Sequence, residues 1–187
     1  MNPYDIVHLT LHAFGGRIEG RTKLQKTVYF IGIITDSVAD LGYRPHFYGP
    51  YSGLVTAAVA RLKSLGFLTE STLGSGAIGE GGFEIARHDF QLTREGQRIA
   101  KEKAEQNTEA WSKINGAVDR VKNAGIIDYM RMSVAAKTYH MLKAKGKPAT
   151  PEELSESAKS LGWEAKPHDI EQSISFLQKL GLVTIKT

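Results

Sequence analysis

Three groups of side chains in this chain of 187 residues have the types and spacing to do chemistry. His168, Gln172, Ser175 and Lys179 recur at helical spacing, so one helix face would present them all. Their amide, hydroxyl and ammonium groups match the donors and acceptors that read base edges in the major groove of double-stranded DNA; the alternative is an ordinary solvated face. Arg17, Arg21, Lys23 and Lys26 form a basic approach to the second helix, suited to gripping phosphates or else a scattered basic surface. His8 and His12 sit one turn apart on what reads as the polar face of the first helix, a spacing compatible with a metal. No third ligand lies near them, no His-Glu-x-x-His pattern occurs and the chain has no cysteine, so neither a metal nor a cofactor is expected. The glycine-rich stretch Gly74–Gly82 lacks the Gly-Lys-Ser/Thr of a phosphate loop, and no Gly-x-Ser-x-Gly elbow or catalytic carboxylate pair is recognisable. The chain reads as a non-enzyme.

The elements that must position these groups announce themselves by an internal repeat. Arg61-Leu62-Lys63-Ser64-Leu65-Gly66-Phe67-Leu68-Thr69 aligns without a gap with Phe176-Leu177-Gln178-Lys179-Leu180-Gly181-Leu182-Val183-Thr184, and upstream Val59 pairs with Ile174 and Val55 with Ile170. Each copy reads as helix, glycine cap, short strand, the end of a helix-turn-helix and the start of a wing. The register compares the outward faces of the two helices. Where the second copy carries His168, Gln172, Ser175 and Lys179, the first carries Gly53, Ala57, Ala60 and Ser64, with Arg61 at the margin. A face of small residues lets another surface approach closely, so it reads as a protein contact, against the alternative of an exposed row of helix formers.

Along the chain, Pro3–Phe14 reads as a helix ended by Gly15-Gly16, and a second follows the basic approach with Leu24, Val28, Ile31 and Ile34 on one face. Tyr43–Ser52 is a turn-rich segment in which Tyr48-Gly49-Pro50-Tyr51 reads as a fold-defining turn, and Ser52 caps a third helix to about Ser64. Phe67–Leu92 reads as a hairpin whose tip is Gly74–Gly82, flexible through its glycines. Thr93 caps a helical stretch with an interruption near Asn107-Thr108 and a short apolar seam of Trp111, Ile114, Val118 and Val121. The second unit has helices from Tyr129, from Thr150-Pro151-Glu152-Glu153 and from Asp169 to Leu180, then a terminal strand over Leu182–Ile185.

Charge is mildly basic, formally +4, and unevenly placed. Residues 67–92 hold one Lys/Arg against four Asp/Glu, whereas residues 1–66 hold seven against four and residues 129–187 nine against six. A basic balance suits a phosphate-binding protein, but an acidic wing carrying Glu70, Glu80, Glu84 and Asp89 should not lie along DNA. The absence of cysteine fits a cytoplasmic protein. The opening residues lack the basic start of a secretion signal, and no apolar run approaches the ~20 residues needed to cross a bilayer, so no membrane partner is expected.

Lys23-Leu24-Gln25-Lys26 with Val28-Tyr29-Phe30, followed by Tyr48-Gly49-Pro50-Tyr51-Ser52 and a helix ending in Leu-x-x-x-Gly, resembles the YwgA-like and Panacea (SocA-like antitoxin) group of small bacterial and archaeal proteins. The resemblance covers roughly residues 5 to 100. It implies a regulatory role, as an antitoxin that neutralises a toxin or as a transcriptional regulator. Phe47-Tyr48 stands where Panacea proteins tend to have a tryptophan before Gly-Pro. The expected architecture is mainly α with small β wings: an N-terminal winged-helix-like unit over 1–92 with its wing at 67–92, a helical linker over 93–128 and a C-terminal winged-helix-like unit over 129–187. The expected function is a DNA-binding transcriptional regulator, a possible homodimer; the alternative is a protein-binding antitoxin or adaptor.

Overall fold

In the computed structural model, which describes residues 1–78, 84–125 and 128–185, most α-helices begin where a side chain caps them, those that start at Arg21 and Pro167 being the exceptions among the described residues. The Asn2 side chain accepts from Asp5 N and Pro3 opens α1 (Pro3–Ala13). A short strand β1 (Arg17–Glu19) leads into α2 (Arg21–Ile34), and a 3-10 turn (Ala39–Leu41) precedes α3 (Gly53–Ser64), capped by Ser52 Oγ. The hairpin β2 (Leu68–Ile78) and β3 (Glu84–Leu92) follows, then α4 (Arg94–Gln106), capped by Thr93, and α5 (Thr108–Asn123), capped by Asn107. Asp128 caps α6 (Tyr129–Lys145), Thr150 caps α7 (Pro151–Ser160), and α8 (Pro167–Lys179) ends the helical part. The protein is thus mainly helical with one small antiparallel sheet of order β1-β3-β2. No helix among the described residues is long and apolar enough to cross a membrane.

The basic approach contains a strand. Arg17–Glu19 alternates outward, inward, outward, with Ile18 opposite Phe90 at 2 % exposure each. The other edge of β3 pairs with β2, Leu68 opposite Leu92, with a register shift between Gly74 and Ile78. Of the expected flexible hairpin tip, Gly74–Gly82, residues 74–78 belong to β2 and residues 79–82 lie outside the described residues.

The repeat is present atom by atom. Gly66 N donates to Lys63 O and Phe67 N to Leu62 O; Gly181 N donates to Gln178 O and Leu182 N to Leu177 O. Both glycines have positive φ, 72° and 67°, the left-handed conformation that ends a helix this way. Val55 and Ile170, like Leu62 and Leu177, are fully buried. Beyond the caps the copies diverge: Leu68 enters a sheet, whereas Leu182–Ile185, expected as a terminal strand, pairs with no strand among the described residues.

Among the described residues, three apolar clusters hold the chain. One belongs to the first half, joining Val7 and Leu11 of α1, Ile18, Val28, Val55, Leu62 and the strand residues Leu68, Phe90 and Leu92. Another belongs to the second half, joining Met141, Leu154, Ala158, Trp163 and Ile170. The third lies at the joint: Leu9, Phe30 and Ile31 from the first half, Ile114, Val118 and Val121 from α5, and Met132, Ala135, Phe176 and Leu180 from the second half. The seam of α5 therefore faces α1 and α2, with Trp111 half-buried against the His12 ring.

Candidate functional site

α8 is fixed from behind and open in front. Ile170, Phe176 and Leu177 are buried, and the buried Ser173 hydroxyl donates to Thr138 Oγ1 of α6 at 3.0 Å. Helical periodicity then leaves His168, Gln172, Ser175 and Lys179 on the solvent side, all exposed, with Gln172 Nε2 and His168 Nε2 2.9 Å apart. Gln172, Ser175 and Lys179 form one wall of a cleft of about 630 Å³, with Met130 and Arg131 of α6 opposite. Arg131 is exposed, and among the described residues its one ion pair is with Asp128, the cap of its own helix, at 3.5 Å. The expected base-reading residues are thus brought together, and a cation absent from the sequence-based set joins them.

The expected phosphate-gripping residues are arranged differently. Arg17 lies 3.1 Å from Glu19 and 3.2 Å from the buried carboxylate of Asp89, which Arg87 also holds. Arg21 lies 2.8 Å from Glu70, which Lys63 also contacts and His88 approaches at 3.0 Å. Burial alone would raise the Glu70 carboxyl, but hydrogen bonds and charge from Lys63 and Arg21 outweigh it and hold the group at about 2. Two wing carboxylates, Asp89 and Glu70, are therefore the counter-charges of two residues of the basic approach, Arg17 and Arg21. Lys23 is half-buried and forms no ion pair among the described residues. Lys26 is turned inward, 2 % exposed, its ammonium donating to Pro50 O at 2.7 Å; it cannot meet a phosphate in this structure.

Lys26 belongs to a latch that ties together the two motifs of the N-terminal half. Gln25 Nε2 donates to Ser52 O at 2.9 Å, Ser52 N donates back to Gln25 Oε1 at 3.1 Å, and Tyr43 OH donates to Gln25 O at 2.7 Å. A buried Gln and Lys on α2 thereby satisfy the backbone of the Gly-Pro turn, as buried polar groups require. The turn also reaches the second half: Trp163 Nε1 donates to His46 O at 2.6 Å. A Cβ on Gly49, φ 88°, would lie 3.0 Å from Lys137 Cγ and 3.6 Å from Lys26 Cε. Burial, then the charge of Lys137, pulls Lys26 down to about 8. Phe47 and Tyr48, at the tip, pack edge to face and remain 68 % and 53 % exposed. Lys137 and Trp163 carry no sequence signal for this role, because their partners lie some ninety to a hundred and twenty residues away.

On α3, Gly53, Ala57, Ala60, Arg61 and Ser64 are all exposed; the Arg61 guanidinium lies over the Tyr4 ring at 5.0 Å and Ser64 Oγ donates to Arg61 O. The expected contact face is open along its length. His8 is not on a polar face: it is fully buried, stacked on Phe67, with Nε2 2.8 Å from Gly96 O. His12 packs on Trp111, and no cluster of three His, Cys, Asp or Glu that could hold a metal occurs among the described residues. Comparison of the chain with protein-family models and with curated proteins finds no match.

Proposed function

We propose that the protein is a DNA-binding transcriptional regulator built from two winged-helix units, in which α8 reads bases. The observation that carries this reading is the α8 face: four polar side chains at helical spacing, all exposed, on a helix pinned from behind by Ser173 and three buried apolar residues. The order α1-β1-α2-α3-β2-β3 with sheet order β1-β3-β2 supports a winged helix in the first half. Phosphate contacts then fall to cations beside α8: Arg131, Lys166 at its N-cap and Lys179. A cytoplasmic setting follows from this role.

Titration of fluorescent duplex DNA at two salt concentrations tests the proposal. Affinity should fall steeply with salt through counterion release. Gln172→Ala should cost about 1–3 kcal/mol at its cognate base, and Arg131→Ala should weaken all sequences alike and lower the salt slope by about 1. Lys26→Met should leave that slope unchanged. Absence of binding at low salt overturns the reading.

A second reading, a protein-binding antitoxin or adaptor, is favoured by the exposed Phe47–Tyr48 pair and the open small-residue face of α3. Ala57→Arg should abolish such a partner contact, or a homodimer contact, while leaving α8 able to bind DNA.

A further inference from the structure

The two halves differ in one respect that points to a ligand. In the first half, β3 lies between β1, which follows α1, and β2, which follows α3; it runs antiparallel to both and buries Phe90 and Leu92. In the second half the corresponding segments are the link after α6 and the run after α8, and between them lies an open groove of about 1000 Å³. Leu142 and Ile174, half-buried, line its apolar part. Among the described residues, neither Lys147–Ala149 nor Val183–Ile185 makes a backbone hydrogen bond, so both walls offer free N–H and C=O groups. The rim carries Lys143 and Lys147 against Glu171 and Glu153; Glu153 is held by Lys145 at 2.9 Å, and the other three form no ion pair among the described residues.

We propose that this groove is a strand-accepting slot, and that it takes an extended segment of a partner protein as the β3 that the second half lacks. The segment runs antiparallel to Val183–Ile185, sets alternate apolar side chains on Leu142 and Ile174, and carries carboxylates toward Lys143 and Lys147. The inference rests on reading α6–α8 as a second winged-helix unit. The occupant is defined by what fills the equivalent place in the first half, a strand with alternate buried Phe and Leu, and by the rim, where Lys143 and Lys147 outnumber Glu171, the one lining carboxylate without an ion pair among the described residues, which favours an acidic segment.

The probe is a fluorescent nine-residue peptide with the sequence of residues 84–92, which carries two carboxylates against one arginine. Added to the isotopically labelled full chain, it should slow amide exchange at Lys147, Ala149 and Val183–Ile185, and a scrambled peptide should not. Consecutive N–H groups of an extended run point opposite ways, so of Val183→Pro and Thr184→Pro one should weaken peptide binding at least tenfold and the other far less. Circular dichroism of both variants confirms that the helices persist. No protection at millimolar peptide, or protection that survives both proline variants, overturns the proposal. A dimer in sedimentation that either proline variant dissolves overturns the partner assignment in favour of a second copy. Gln172 and Lys179 lie outside this groove, so a chain that binds peptide but no DNA loses the preceding proposal and keeps this one.

Discussion

The His8 imidazole, stacked beneath Phe67 and bonded only to Gly96 O, is held by burial at about 4, against an ordinary 6.5. The unfolded chain takes up a proton near pH 6.5 that the folded chain refuses until about 4. Stability is therefore full above pH 6.5 and is lost as pH falls toward 4, by roughly 3 kcal/mol if the burial persists. Thermal midpoints at pH 7, 5.5 and 4.5 should show that fall, and His8→Gln should flatten it. Gly96 matters for the same contact: a Cβ there would sit 2.0 Å from Phe67 O, a backbone atom that cannot swing away. Gly96→Ala should cost about 2–3 kcal/mol in denaturant unfolding by prising α4 off the turn. Neither residue was legible in sequence. Histidine on α1 reads as solvent-facing only if the helix has a solvent face there, and α1 is covered by α3, α4 and α5 together.

Among the elements, the α2 latch has its own pH signature. Lys26, at about 8, releases a proton in the folded chain well below the ordinary 10.5 of the unfolded one. The unfolded state binds more protons between those values, so stability should rise with pH from 8 upward, and Lys137, also lowered by burial, acts in the same direction. Tyr29 and Tyr43, raised by burial, reverse the trend above the ordinary tyrosine range near 10. Urea midpoints at pH 8 and 10 should show a gain on the order of 2 kcal/mol from Lys26, which Lys26→Met removes, leaving the part due to Lys137. Local signals made most elements readable. Ser52, Thr93 and Thr150 cap the helices their side-chain chemistry marks, and the paired Gly66 and Gly181 end theirs identically. β1 escaped because three residues give no periodicity and its partner lies some seventy residues on. The tract Leu182–Ile185 has the side chains of a strand, but a strand also needs a neighbour, which no local pattern supplies.

Across the whole molecule, the repeat reveals two helix-cap-extended units, whereas the joint between them came from surfaces that look ordinary in sequence. Phe30 of α2 meets Phe176 of α8 edge to face with centroids 5.3 Å apart, and Arg120 of α5 donates to Leu180 O. Residues 129–187 alone would expose Met132, Ala135, Phe176 and Leu180, all buried in the shared cluster. That fragment should keep helix by circular dichroism yet unfold without a cooperative transition, and adding residues 1–128 in trans should restore one. The basic side chains tell the same story of distance: Arg17 and Arg21 look free in sequence because the carboxylates that neutralise them arrive with the wing, some fifty to seventy residues later.

Both of the chain's tryptophans stand at its joints, Trp111 where α5 meets α1 and Trp163 where the second half meets the Gly-Pro turn. Each is thus a built-in optical gauge of one seam. Trp163 emission, recorded from Trp111→Phe, should shift to the red when the turn lets go of the second half, and Trp111 emission, recorded from Trp163→Phe, should change when α5 parts from α1. The order in which the two signals move during a denaturant ramp would give the sequence in which the molecule comes apart, with no added label.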